Sequence, residues 1–379
     1  MKYHMPTEIV FGAGIISELG RITYQRLHSS RPLLVTDKGI EAAGIAARVR
    51  AQLTPVAVFN EIEQNPRHTT VNRGGEVARE LKPDLVIGLG GGSVLDAAKA
   101  IALLATNPGR IEDYEGREKY KSAPLPVLAV PTTCGTGSEV TWVAVITHTG
   151  RKFKMGIKGP LMYPAVALVD PDLLMTLPPS LIASTGLDAL THAIEAFTVK
   201  PASVITDTLA LEALRLIFLT LREAHRDIKN NTMVREGLML GSLLAGMAFG
   251  NSDVGAVHCL AESVGSLYDT PHGVANAVFL PHVMEFNLKA AEAKYARIAA
   301  LAGVEAGSQR EAVHRLIARI KEISRDLSIP AFRELNIPES DFTLIAEKSF
   351  ANNSNSSNPR EATAADYLGM LRRANQTSS

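Results

Sequence analysis

The chain has almost nothing with which to cross-link itself: its two cysteines, Cys134 and Cys259, stand far apart in 379 residues. That excludes a disulfide scaffold, fits a reducing compartment, and leaves both as small buried residues. Net charge is missing too. Lys plus Arg and Asp plus Glu each number 39, so no overall field draws the chain to nucleic acid or to an anionic membrane surface. Nor is there a long apolar run. The most membrane-like stretch, Gly237 to Gly250, is fourteen residues, is interrupted by Ser242 and falls short of a span, so it reads as a buried helix. The first eight residues, Met1 to Glu8, hold no apolar signal-peptide core, which makes the cytoplasm the expected location. What is present, 46% hydrophobic and 21% charged residues, suffices for a large core and for two domains.

Strand and helix alternate through the first half. Glu8 to Phe11 reads as a strand, Ile15 to Leu27 as helical, and Pro32 to Thr36 as a strand that ends at Asp37-Lys38-Gly39. Helical Gly39 to Gln52, a strand at Val56 to Phe59 and helical Thr70 to Leu81 follow. Asp84 to Leu89 then runs into Gly90-Gly91-Gly92-Ser93 and a helix over Val94 to Leu104, an order that predicts a parallel sheet covered by helices. Val140 to Thr147 and Phe153 to Ile157 read as a hairpin. Beyond Pro178-Pro179-Ser180 every long segment reads as helix, with separate helices at Ala275 to Ala291 and Ala293 to Leu301. The expected organisation is therefore an α/β domain over 1–180 and an all-α domain over 181–379. Ala351 to Arg360 reads as a polar loop and Asn375 to Ser379 as a fraying end. His4, His28, His68, His148, His225 and His314 fit no ligand pattern and are expected at the solvated surface, with His282 structural.

Two loops at strand ends carry ligand-binding chemistry. Three consecutive glycines let backbone approach a ligand, and the helix N-terminus after them offers N–H groups and partial positive charge to a pyrophosphate. Ser93 and Asp96 have capping-box spacing there. Ser93 stands where the dinucleotide fingerprint has a third Gly or Ala, and a lone glycine-rich loop is weak evidence. After Pro126 to Val130, the segment Pro131-Thr132-Thr133-Cys134-Gly135-Thr136-Gly137-Ser138-Glu139 is either a second wall of the same crevice or an ordinary polar turn. Asp37, at the end of an early strand, either takes the ribose hydroxyl of NAD or forms a turn.

The stretch Thr185 to Phe197 is helical, with Leu187, Leu190, Ile194 and Phe197 on one face and Asp188, His192 and Glu195 on another. A carboxylate and an imidazole four apart can grip one cation, although a polar stripe opposite an apolar one is also what any half-buried helix shows. His258, on a helical pattern, and His272, in a turn bounded by Pro271 and Gly273, complete a set of one Asp and three His. Such a shell suits Fe(II) or Zn(II) far better than Ca(II) or Mg(II), and a further open position would let a substrate oxygen reach the cation.

In Gly90 to Ser93 with Asp96 and Lys99, in Pro131 to Thr133 with Gly135 to Glu139, in Thr185-Gly186 with Asp188 to Glu195, and in Pro271 to Ala277, the chain resembles the iron-containing (group III) alcohol dehydrogenase family, near its lactaldehyde reductase and 1,3-propanediol dehydrogenase branch. The resemblance covers essentially the whole chain. It implies a Rossmann-like N-terminal domain, an all-helical C-terminal domain, and a metal on Asp188, His192, His258 and His272. It further implies that Gly90, Gly91, Gly92 and Ser93 bind the pyrophosphate of NAD, with Asp96 also among the cofactor-binding residues. Thr132, Thr133 and Ser138 would approach its nicotinamide or adenosine parts, and Asp37 would favour NAD over NADP. One departure stands out: many members of the branch have a histidine where this chain has Glu262, a position assigned to the substrate pocket. At i+4 from His258, Glu262 shares its face, and there it accepts a proton, bonds a ligand's free nitrogen, binds the metal, or is simply a solvated charge.

The expected activity is reversible hydride transfer between NAD(H) and a small primary alcohol or aldehyde, with Glu262, His258 and His272 as the candidate catalytic set. Two readings compete with it: a lyase resembling dehydroquinate synthase, which also combines NAD, a metal and a helical second domain, and a non-catalytic nucleotide-binding protein. The family resemblance also implies a homodimer or larger homo-oligomer.

Overall fold

The computed structural model describes residues 2–376, which form two compact units: residues 4–133 with 137–177, and residues 178–376 with 134–136 and 2–3. The first is built on a parallel sheet. Its strands are β1 (Glu8–Phe11), β2 (Pro32–Val35), β3 (Ala57–Phe59), β4 (Leu85–Gly90), β6 (Val127–Pro131) and β9 (Val166–Val169), in the order β1-β9-β6-β4-β2-β3. The sequences Pro-Leu-Leu-Val, Val-Leu-Ala-Val and Val-Ala-Leu-Val are apolar without alternation because both faces of these strands are covered. A second, small sheet joins β5 (Gly116–Arg117), β7 (Val143–His148) and β8 (Phe153–Lys158), the last two as the expected antiparallel hairpin.

Helices α4 (His68–Leu81) and α5 (Gly92–Thr106) pack together on one face of the large sheet. The other face is covered by the turns around α1 (Leu19–Arg21) and by α2 (Lys38–Ala42) and α3 (Ile45–Arg50). The helix expected over 39–52 is thus two helices. Gly44, at φ +75°, turns the chain between them, a conformation helical backbone cannot take. The strand expected from 140 begins only at Val143, after a 3₁₀ turn over Ser138–Val140.

The second unit is helical: α6 (Pro179–Thr198), α7 (Val204–Asp227), α8 (Thr232–Phe249), α9 (Ala256–Tyr268), α10 (His272–Leu301), α11 (Gln309–Asp326), α12 (Phe342–Phe350) and α13 (Ala364–Gln376). Among the described residues no helix is long and apolar enough to cross a membrane. Helix α6 is its axis, buried along nearly its whole length from Ile182 and packed by α7, α8 and α10. Side-chain caps from Ser203, Asn231 and Ser308 start α7, α8 and α11. Helix α10 is continuous where two helices were expected, since nothing in Ala291-Glu292-Ala293 breaks it and even Pro281 lies within it.

Three further expectations are corrected here. The segment 351–360 is not a solvated loop: it holds a 3₁₀ turn over Asn353–Ser357, and Ser354, Ser357 and Asn358 are buried. Asn358 accepts from the Ala256 and Asn287 N–H groups and donates to Asn287 Oδ1 and the Arg360 carbonyl. His68 is buried and stacks on His148, with ring centroids 4.4 Å apart. Of the end expected to fray, Asn375 and Gln376 close α13, and residues 377–379 lie outside the described range. Replacing Asn358 by Ala strands buried partners, so urea unfolding should show a loss of about 2–3 kcal/mol, where a solvated loop position would show almost none.

Candidate metal centre and nucleotide loops

The helical unit brings four charged or imidazole side chains to one point. Asp188 and His192 lie one turn apart on α6, His258 is on the first turn of α9, and His272 opens α10 directly after Pro271. Close approach of backbones makes this possible. A Cβ on Gly273 would lie 2.2 Å from the Ser184 carbonyl oxygen, so only glycine lets the start of α10 rest against α6. One donor atom from each of the four residues lies within 4.8 Å of every other. The His192 and His258 Nε2 atoms are 2.9 Å apart, and His272 Nε2 is 3.7 Å from Asp188 Oδ1. Asp188, His192 and His258 are no more than 4% exposed, while the His272 side chain keeps 25%, so the cluster opens on that side.

The surroundings set the orientation and the charge of these donors. Glu195, one turn beyond His192, takes His258 Nδ1 at 2.5 Å, which holds the proton there and turns the Nε2 lone pair toward the cluster. Its other oxygen accepts from the Val257 N–H at 2.8 Å. Burial works against a charged His258, yet the carboxylates around it, Glu195 foremost with Asp188 and Glu262, together raise the pKa, whereas burial pushes His192 down to about 4. Burial alone would raise Asp188; the three imidazoles hold it down instead. The Asn276 amide Nδ2, one turn beyond His272, donates to Asp188 Oδ1 at 2.6 Å. Phe249 stacks on His192, centroids 4.3 Å apart.

Three imidazoles, one of them oriented by Glu195, and one carboxylate are the donors a borderline divalent transition metal takes, so the residues present fit such an ion. The nearby thiol does not join them. Cys134 lies 3.3 Å from Thr185 Oγ1, is buried, and is pushed by that burial to about 11. Glu262 stands apart from the four donors as well: half-buried, it accepts from Asn352 Nδ2 at 2.6 Å. Bonding a ligand's free nitrogen, one of the roles open to Glu262, belongs to Glu195.

In the sheet unit, β4 ends in the glycine turn and α5 starts at Gly92, capped by the Gly91 backbone. A Cβ on Gly91 would press on Thr133 Cγ2 at 3.1 Å, and Thr132 N–H donates to the Gly90 carbonyl, so the two loops lie against each other at the ends of neighbouring strands. Ser93 and Asp96 form no capping box. The Asp96 carboxylate instead accepts from Ser138 Oγ at 2.6 Å and from the Val145 N–H at 2.9 Å, because α5 packs against both the 3₁₀ turn at 138–140 and β7. Thr132 is buried with its hydroxyl unpartnered. Asp37, just beyond β2 and so on the same edge as the glycine turn, caps α2 by accepting from Ile40 N–H at 2.9 Å.

Glu195 and Asn276 are the residues sequence reasoning did not assign. Both sit at helical spacing from a ligand, which is the only signal the sequence carried for them.

Comparison with known proteins bears on the whole chain. Residues 6–171 match the family model described as iron-containing alcohol dehydrogenase, and residues 182–375 match that of the Fe-containing alcohol dehydrogenase family, C-terminal. The 1,3-propanediol dehydrogenase of Klebsiella pneumoniae is 40% identical, covering 98% of each chain. The lactaldehyde reductase of Escherichia coli (strain K12) is 35% identical over 96% of this chain and 97% of its own. The structure of sulfoacetaldehyde reductase from Bifidobacterium kashiwanohense in complex with NAD+ superposes with a TM-score of 0.90 at 30% identity, covering 100% of this chain and 99% of that one.

Exchange of Glu195 for Gln should weaken metal binding about 10- to 100-fold in a chelator-competition titration, because the His258 tautomer is no longer enforced. Unchanged affinity would mean that the bond does not orient the ligand.

Proposed function

The chain belongs to the iron-containing alcohol dehydrogenase family, and on that footing we propose that it interconverts a small primary alcohol and its aldehyde with NAD(H), using a divalent metal on Asp188, His192, His258 and His272. The converging donor set carries this reading. Relatives named for 1,3-propanediol, lactaldehyde and sulfoacetaldehyde support the substrate class, and the NAD+ complex of the last supports the cofactor. Iron is the metal the family name gives, with Zn(II) fitting the same donors. The lyase and the non-catalytic alternatives are not favoured, since both halves of the chain match one family of oxidoreductases.

When bound, the metal supplies a Lewis acid that polarises a substrate oxygen, and the nicotinamide supplies the hydride acceptor or donor. The protein's own part is positioning. Asp188 offsets part of the cation's charge, Glu195 and Asn276 hold His258 and Asp188 in ligating orientation, and Phe249 shields one face of His192 from water. The N–H groups at Gly91 to Ser93 and the start of α5 face a pyrophosphate, Thr132 and Thr133 line the second wall, and Ser138 and Asp96 keep that wall in place. Asp37 takes the ribose hydroxyls in addition to capping α2. Glu262 is the candidate proton carrier on α9, held half-buried by Asn352. A homodimer or larger homo-oligomer in the cytoplasm completes the reading.

The deciding experiment follows NADH oxidation with a panel of short aldehydes on chelator-stripped protein, before and after Fe(II) or Zn(II) is restored. Turnover that returns only with metal is the expected result; turnover unaffected by stripping would remove the metal from the reaction. For Asp37→Gly the NADPH-to-NADH ratio of kcat/KM should rise at least tenfold, with little loss of fold because glycine is tolerated at a helix N-cap. A ratio unchanged from the parent would take Asp37 off the ribose.

A further inference from the structure

Lys99 is only 1% exposed, two turns along α5 from the glycine turn. An ammonium is kept in such a place only when every N–H is used and a counter-charge is near. Both conditions hold. Its Nζ donates to the Ser138 carbonyl at 3.1 Å and to the Val143 carbonyl at 2.5 Å, and Asp96 Oδ1 lies 3.2 Å away. Asp96 in turn receives Ser138 Oγ and the Val145 N–H. Two residues one turn apart on α5 therefore hold the segment 138–145 by its hydroxyl, two of its carbonyls and one of its N–H groups.

This segment is the continuation of the second loop, and the second loop rests on the first: Thr132 N–H bonds the Gly90 carbonyl, and Thr133 fills the space beside Gly91. A methionine would fill the volume of Lys99 but would take a donor from both carbonyls and the counter-charge from Asp96, and Glu139, 3% exposed, would lose the cation beside it. We propose that Lys99, acting through Asp96 and Ser138, is a positioning residue that locks the 131–145 segment against the glycine turn and so sets how tightly the chain holds its dinucleotide. The inference rests on the functional reading above. Because Lys99 is buried, it touches no cofactor and acts only through the loop that does.

The test is NADH binding to the full-length metal-loaded protein, read by nucleotide fluorescence well below the melting temperature, with metal content and circular dichroism measured alongside. Lys99→Met is expected to raise the NADH Kd, and the KM for NADH, tenfold or more. Its metal content should stay at the parent level and its kcat at saturating NADH within about threefold. A merely structural lysine would lower the melting temperature and leave Kd unchanged, so a folded Lys99→Met with the parent's Kd overturns the inference alone. Should that variant fail to fold, Lys99→Gln, which keeps an N–H donor, is held to the same criterion at a threefold rise. Absence of NADH binding in the parent protein would overturn the functional reading, and this inference with it.

Discussion

The helical unit depends on one contact between backbones, that of the first turn of α10 with α6 at Gly273. Metal ligands must be held to within a few tenths of an ångström, and long side chains reaching from separated helices cannot do that. Here the reach is short because no Cβ keeps the two helices apart. Once α10 lies against α6, His272 and Asn276 fall beside Asp188 by helical spacing alone, and α9 supplies the remaining imidazole. Glu195 closes the arrangement by binding both the ring and the backbone of α9, so the His258 imidazole and the helix that bears it are located by one carboxylate.

Much of this was legible in the sequence. The i, i+4 pair Asp188 and His192 sits in an otherwise apolar helix, and the parallel sheet could be read from apolar runs that end in glycine or hydroxyl-rich turns. What the sequence could not show are partnerships between distant residues. Glu195 and Glu262 are each one helical step from a histidine of the cluster, and local spacing treats them alike; the structure separates them, because α9 presents the His258 ring to Glu195 while Asn352 reaches Glu262. The polar run 351–360 misled for the same reason. Its composition is that of a solvated loop, yet its amides and hydroxyls are spent on Asp253, Ala256, Glu262 and Asn287.

In the sheet unit, too, local chemistry was readable and its use was not. Ser93 and Asp96 have the spacing of a capping box, but a glycine N-cap leaves the helix start open, and an aspartate one turn on is worth more where it receives a buried hydroxyl. Of the two meanings open to Asp37, the structure shows one, the cap on α2, and places it at the strand edge where the glycine turn also lies.

The buried thiol beside Thr185 bears on which ions the centre would select. Thiolate is the ligand that draws copper(I) and other soft ions, and an unprotonated sulfur so near Asp188 would compete for whatever cation arrives. Cys134, however, lies against Thr185 Oγ1 and is not among the four donors that converge. The centre therefore offers nitrogen and oxygen only, and a soft metal gains nothing there over the harder divalent ions that the imidazoles and carboxylate suit.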